Sequence, residues 1–180
     1  SDDELARAAR MKLDSVKKQF LIRRSLLRKL LGRYLHASPE LIEFCAGPYG
    51  KPRLSDCHLN LQIEFNLSSS SSMVLFAFRL TQPIGIDMEW LDPDFDYQGV
   101  VSSYFSAEEL AELQSLEPIQ RRSGFYRLWV RKEAYLKGLG TGFSQPDPPQ
   151  GLAPLYAGYL SDASPSFASV NPQQWLIYDL

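Results

Sequence analysis

The sequence predicts an α+β protein built from two similar halves, each opening with helices and continuing into strands. Three observations predict it. Ser1-Asp2-Asp3-Glu4 and Ser106-Ala107-Glu108-Glu109 are both capping boxes, and each is followed by Leu-Ala. Each box is then followed, at the same distance, by a phenylalanine in a long helical stretch, Phe20 or Phe125. Short runs rich in β-branched and aromatic residues come after the helices and read as strands. A register shared over two helices and their loop implies a repeat about a pseudo-twofold axis, with halves 1–82 and 83–180. The cleft between such halves is the expected ligand site.

The elements follow in order. The first capping box starts a short helix ending near Ala9. A longer helix is expected from Asp14 to Leu35, because Phe20, Leu26, Leu27, Leu30, Leu31 and Tyr34 recur at three- and four-residue spacing. Ser38 and Pro39 cap and open another short helix. Residues 47–52, GPYGKP, are loop by their Gly and Pro content. Strands are expected at NLQIEF, MVLFAFRL and IGIDMEW, with the serine run Ser68–Ser72 lying between the first two. The second capping box leads to a long helix over Ser123–Lys137, then the Pro/Gly-rich loop QPDPPQGLAP, then strands at LYAGYL and QWLIYDL. Ser1 is not an initiator Met, and the final run has no closing turn, so the chain is expected to be part of something longer.

Composition narrows the function. With 180 residues, 44% hydrophobic and 22% charged, the chain can bury a core and is not of disordered type. A net charge of -2 argues against a nucleic-acid binder that relies on bulk charge. No apolar run is long enough for a membrane span and no secretory signal opens the chain, so a cytoplasmic protein is expected. Cys45 and Cys57 form neither a CxxC motif nor a disulfide framework, and His36 and His58 are too few for a histidine-built metal site.

Two segments carry chemistry. Asp87 and Glu89 in GIDMEW stand two apart, which on a strand puts both carboxylates on one face. Such a pair repels itself unless a cation or a proton intervenes, and Mg²⁺ takes oxygen ligands of this kind. An exposed polar strand face has the same pattern. Trp129, Glu133 and Lys137 share a helical face, with Lys132 beside it. Glu133 can add a third carboxylate and Lys137 can meet a phosphate; an exposed i,i+4 ion pair is the plain alternative. On the first long helix, Arg23, Arg24, Arg28 and Lys29 read mostly as solvated charges, and Lys51 sits in a rigid turn.

YGKP, FNLS, GIDMEW, FSAEEL and LWVRKEAYLKGLGTGF occur in the order and approximate spacing of Sfp-type 4′-phosphopantetheinyl transferases. The sequence resembles that family from Arg24 through Leu152. The resemblance implies a pseudo-dimeric enzyme with its active site between the halves. It would move the phosphopantetheine arm of coenzyme A onto a serine of an acyl or peptidyl carrier protein and release 3′,5′-ADP. It implies Mg²⁺ on Asp87, Glu89 and Glu133, with Glu133 also the base and Lys137 on the pyrophosphate. Arg24, Lys51, Ser68 and Ser69 match coenzyme A contacts, and Lys132 matches the motif lysine of the same set. A monomer is expected, with no nucleic acid or membrane partner; fatty acid, polyketide and peptide carriers all stay open. Basic residues near the cleft, Arg121, Arg122 and Arg127, are expected to face the carrier. Ser69 departs from the family, which usually has histidine there. A serine offers hydroxyl and backbone donors but no imidazolium, so Ser69 is the expected weak point of coenzyme A recognition. A non-catalytic coenzyme A- or carrier-binding domain on the same fold is the alternative.

Overall fold

A computed structural model describes residues 1–55 and 62–142. Cys57, His58 and the expected strands LYAGYL and QWLIYDL lie outside the described residues. The described chain mixes helix and sheet, as an α+β protein does. Helix α1 spans Asp2–Ala9 and α2 spans Asp14–Leu35. A 3-10 turn at Pro39–Leu41 leads to a hairpin of β1, Phe44–Ala46, and β2, Pro52–Leu54. A second antiparallel hairpin pairs β3, Ile63–Ser70, with β4, Met73–Leu80. Three helices follow: α3, Gln98–Tyr104; α4, Ala107–Ser115; and α5, Arg121–Leu139. Among the described residues, no helix is long and apolar enough to cross a membrane.

The long helices sit where periodicity places them, but the buried stripe of α2 differs from the expected one. Leu27, Arg28, Leu31 and Gly32 are buried, whereas Leu26 and Tyr34 are exposed. A helix hides about one stripe, and here Arg28 enters it because its donors are satisfied. Arg28 Nε meets Glu4 at 2.9 Å, and its Nη1 donates to the carbonyls of Pro39 at 3.0 Å and Ile42 at 2.5 Å. Glu4 also faces Arg24 Nε at 3.3 Å. The capping-box glutamate of α1 thereby fastens α1 to α2. The second box has a parallel arrangement. Glu109 accepts from the Ser106 amide at 2.8 Å, and its Oε2 lies 2.7 Å from the ammonium of Lys132 on α5.

Two apolar clusters result. Leu27, Leu31, Ile42, Leu54, Ile63 and Phe65 form one, under α2 and the hairpins. Val101, Leu113, Phe125, Tyr126 and Leu128 form the other, among α3, α4 and α5. Phe125 is central there, stacked on Tyr97 at 4.8 Å and Phe105 at 5.6 Å.

The serine run resolves into two parts. Ser68, Ser69 and Ser70 belong to β3, and only Ser71 and Ser72 make the turn, Ser70 pairing with Met73. Ser71 takes φ 54, a left-handed value that serine adopts at some cost but that tight hairpin turns require.

The expectation of a strand at IGIDMEW is corrected. Residues 83–92 carry no strand among the described residues. A strand needs a neighbour's backbone donors and acceptors, and this segment is instead fastened to β3 by side chains. The Ile86 amide donates to Asn66 Oδ1 at 3.1 Å, and the Trp90 amide to Ser70 Oγ at 2.9 Å. On its other side the segment meets α5 backbone to backbone. A Cβ on Gly85 would lie 1.8 Å from the Ala134 carbonyl oxygen and 2.4 Å from the Gly138 nitrogen. Gly85→Ala is therefore expected to push the segment off α5 and destabilise the chain by about 1–3 kcal/mol or more, as overpacking does. Thermal unfolding checks this; an unchanged midpoint would mean that the close approach is not needed.

Candidate active site

Residues 85–90 lie between β3 and α5, and this places the acidic pair. Asn66, Ser68 and Ser70 alternate along β3 and so share a face. They bind the segment in register: Asn66 takes Ile86, while Ser68 Oγ donates to Asp87 Oδ1 at 2.7 Å and Ser70 Oγ to Glu89 Oε2 at 3.1 Å. Asp87 and Glu89 thus face β3 together, as their spacing predicts, although the segment is not a strand. From α5, Lys137 Nζ lies 2.5 Å from Asp87 Oδ1 and 3.2 Å from Ser68 Oγ. The Asp87 side chain is 1% exposed, and that of Lys137 is 32% exposed. The second oxygen, Asp87 Oδ2, is buried with no hydrogen-bond partner among the described residues.

Glu133 lies one helical turn before Lys137, on the same face. Burial raises its carboxyl above the usual carboxylate range; Lys137 opposes this shift, and the charges of Asp87 and Glu89 add to it. All three acids therefore act on one region. Among the described residues, however, no three His, Cys, Asp or Glu side chains are already gathered into a metal site. The positive charge next to Asp87 is the Lys137 ammonium. The donor set itself, hard carboxylate oxygens with one buried and unpartnered, suits a small hard cation. Beside Glu89 and Ser70 opens a cavity of about 370 Å³, walled by Trp90, Phe95, Phe125 and Trp129.

The other expected site residues are placed as follows. Ser68 is buried at the centre of the cluster. Ser69 points to the opposite face of β3, by strand alternation, and accepts a hydrogen bond from Arg23 Nη1. Arg24 is turned elsewhere, toward Glu4 and over the Phe44 ring at 4.5 Å. Lys51 donates to the carbonyls of Gly138 at 2.8 Å and Ile84 at 3.2 Å. It ties the β1–β2 turn to the carboxyl end of α5, where a cation is favoured, and burial lowers its ammonium below the usual lysine range. Lys132 is 4% exposed, its ammonium held by Glu109 and, at 2.8 Å, by the Tyr104 carbonyl. Neither Lys51 nor Lys132 presents an open ammonium toward Asp87. Arg121 and Arg122 spend donors on the carbonyls of Leu116, Gln114, Asp92 and Phe95.

Sequence reasoning gave Asn66 and Ser70 no role toward the acidic segment, although their two-residue spacing from Ser68 is the same signal that paired Asp87 with Glu89. It also passed over Gly85, whose neighbour on α5 no sequence pattern names.

Comparison with known proteins finds relatives of the segment that carries the acidic residues. The sequence model of the 4′-phosphopantetheinyl transferase superfamily matches residues 83–160, which include Asp87, Glu89, Glu133 and Lys137. Residues 83–160 thus carry the sequence pattern of that superfamily. It is 39% identical over 145 residues to the 4′-phosphopantetheinyl transferase HetI of Nostoc sp., covering 81% of this chain and 61% of that protein. It is 33% identical over 121 residues to the transferase Sfp of Bacillus subtilis, covering 67% and 51%. To the transferase AcpT of Salmonella typhimurium it is 33% identical over 113 residues, covering 63% and 56%. The chain thus spans between half and about three fifths of the length of these curated relatives.

Proposed function

We propose that the chain transfers the 4′-phosphopantetheine arm of coenzyme A to a serine hydroxyl of an acyl or peptidyl carrier protein, releasing 3′,5′-ADP. The observation that carries this reading is the buried Asp87 carboxylate, held by Lys137 and Ser68, with Glu89 and Glu133 acting on the same region. The superfamily match over residues 83–160 and the names of the relatives support it.

In this reading the protein is a pseudo-dimer of halves 1–82 and 83–180, with the site between them. The two apolar clusters, each drawn from one half, support the division, as do the two capping-box glutamates that each hold a helix cation. Ser68 and Ser69 come from the first half; Asp87, Glu89, Glu133 and Lys137 come from the second.

Asp87, Glu89 and Glu133 would hold Mg²⁺, which supplies neutralisation of charge on the pyrophosphate oxygens. Lys137, one third exposed, can turn from Asp87 to the same oxygens. Burial raises the proton affinity of Glu133, the direction a general base needs. Glu133 takes the proton of the carrier serine, and the serine Oγ forms a bond to the phosphorus that bears the pantetheine arm. The bond from that phosphorus to its bridging oxygen breaks, and the electron pair leaves on 3′,5′-ADP. Apolar walls beside Glu89 suit the pantetheine arm. With Arg121 and Arg122 occupied by internal carbonyls, docking of the carrier rests more on the exposed Ile119, Trp90 and Leu91 than on these two charges.

The test is an assay of the chain with coenzyme A, Mg²⁺ and an apo carrier protein, read by mass spectrometry. One added phosphopantetheine mass on the carrier is expected, and chelation of Mg²⁺ is expected to stop it. Coenzyme A binding with an unmodified carrier would favour a binding domain over an enzyme. Glu133→Gln, which keeps the shape and loses the base, is expected to lower kcat by about 10²–10⁴-fold with little change in coenzyme A affinity. An unchanged kcat would assign the proton transfer to another group.

A further inference from the structure

We infer that Lys51 is a positioning residue for the transfer step. From the β1–β2 turn it holds together the two backbone stretches that carry Asp87 and Lys137, and it acts on the reaction through them rather than on coenzyme A. This rests on the reading of the site as a phosphopantetheinyl transferase.

Lys51 starts from a fixed point. Its carbonyl accepts from the Gly47 amide at 2.8 Å, and the Gly50 amide donates to the Gly47 carbonyl at 2.9 Å. Pro52 follows it and opens β2 with a fixed φ. The half-buried side chain runs from this turn to the end of α5. Its ammonium donates to the Gly138 carbonyl at 2.8 Å and to the Ile84 carbonyl at 3.2 Å, so two of its three donors are spent on backbone. Gly140 makes room for the stem. A Cβ there would lie 3.2 Å from Lys51 Cδ and 3.6 Å from Lys51 Cβ. The same glycine ends α5 with φ 78, the left-handed value that a glycine after a helix adopts without strain.

Both carbonyls need this donor. Gly138 is among the last four residues of α5, whose carbonyls have no partner inside the helix. The Gly140 and Thr141 amides both go to the Leu136 carbonyl, at 2.9 and 3.3 Å, and leave Gly138 to Lys51. Ile84 lies in the segment that has no strand neighbour among the described residues. The absent side chain of Gly85 permits the segment and α5 to meet backbone to backbone. That approach aims two carbonyl oxygens at one place, where their negative ends repel. Gly85 allows the junction, and the Lys51 ammonium is the attraction that closes it.

The junction adjoins the reacting groups. Gly138 follows Lys137 directly, and Ile84 precedes Asp87 by three residues. Lys137 Nζ, 2.5 Å from Asp87 Oδ1, bridges the same two stretches. In the proposed chemistry that bridge opens each time Lys137 turns to the pyrophosphate. The Lys51 bridge does not open. It keeps Asp87 and Lys137 in register while their own contact is exchanged. The family resemblance places Lys51 among the coenzyme A contacts; the geometry gives it this other task.

The experiment measures kcat and KM for carrier modification, coenzyme A affinity by calorimetry, and a thermal melt, all on the full chain. The variants are Lys51→Met, Lys51→Arg and Lys51→Cys, the last before and after alkylation with 2-bromoethylamine, which rebuilds an ammonium of nearly the reach of lysine. Wild type treated in the same way reports the effect on the native cysteines. Lys51→Met is expected to lower kcat by about tenfold to a hundredfold, the scale on which a misplaced reacting group acts, with coenzyme A affinity unchanged. Alkylated Lys51→Cys should recover most of kcat, and Lys51→Arg a part. A fall in coenzyme A affinity with kcat retained at saturation would make Lys51 a coenzyme A ligand and overturn the inference. So would a lower melting midpoint with full kcat and affinity where the variant is folded, since the role would then be structural only. If Lys51→Met does not fold, Lys51→Arg, which keeps the charge and changes the reach, decides between kcat and affinity on the same terms. A wild type that neither binds coenzyme A nor modifies a carrier removes the transferase reading. The bridge itself is then judged by amide exchange at Gly140 and Thr141: faster exchange in the variant supports it, and unchanged exchange overturns it.

Discussion

Asp87→Asn is expected to reduce transfer of the phosphopantetheine arm by about 10²–10³-fold, the scale on which loss of one preorganised electrostatic group acts. The amide keeps the volume of the carboxylate and can still accept from Ser68, so the change removes charge rather than shape. Two consequences follow in the proposed chemistry. The Mg²⁺ ligand set loses an anion, and Lys137 loses the partner that holds it at 2.5 Å. Stability should be little altered, because Lys137 is 32% exposed and can return to water when its partner goes. The measurement is kcat for carrier modification beside a thermal melt of the same preparation. Full activity in Asp87→Asn would remove Asp87 from the reacting centre, and a large fall in the melting midpoint would make its role structural.

Lys132→Met should show the opposite pattern. Lys132 and Glu109 are 4% and 1% exposed, and neither can reach water without opening α4 from α5. Removing the lysine leaves the Glu109 carboxylate buried with only neutral donors, and breaking such a pair typically costs about 3–5 kcal/mol. In a chain of this size each kcal/mol shifts the midpoint by roughly 2–4 °C, so a fall of about 10 °C is expected. Replacing both partners, Lys132→Met with Glu109→Leu, should restore most of it, since well-packed apolar groups often match a buried ion pair. At a temperature where Lys132→Met is still folded, its affinity for coenzyme A should equal that of the wild type. A selective loss of coenzyme A binding without loss of stability would instead return Lys132 to the coenzyme A contacts that the family resemblance assigns it.

These two residues show how far the sequence can be read. The bounds of α1 and α2, and the start of α4, were legible because caps and three- to four-residue periodicity are local signals. That two strands pair here was legible from alternation and composition, but not that the first of them takes in Ser68–Ser70. The hairpin of β1 and β2 was not: three residues per strand are too few for a period, and Gly and Pro dominate the turn. Helix α3 was not either, since it buries Val101 alone and its cap residue, Tyr97, makes no side-chain cap. At the site, Asp87, Glu89, Glu133 and Lys137 were legible by type and spacing, and spacing also predicted that the acidic pair would share a face. What spacing does not contain is the partner. Lys51, Lys132 and Arg23 are all cations beside suggestive motifs. Whether each meets a carbonyl, a buried glutamate or a serine depends on elements distant in sequence, 87 residues away for Lys51 and Gly138.

The contact of Gly85 with α5 has a dynamic consequence. With backbones this close, the stretch bearing Asp87 and Glu89 cannot slide or lift without carrying the helix that bears Glu133 and Lys137. The acids should therefore move as one body, their spacing fixed whatever opening admits the substrates. The compliant partner is then the hairpin, which touches this body through the Asn66 side chain and single hydroxyls at Ser68 and Ser70. Ligand entry can exchange those hydroxyls one at a time, so on binding the hairpin tip should gain order while α5 keeps what it already has. Amide hydrogen exchange would register that contrast as protection gained around Ser70–Met73 and unchanged around Ala134–Gly138.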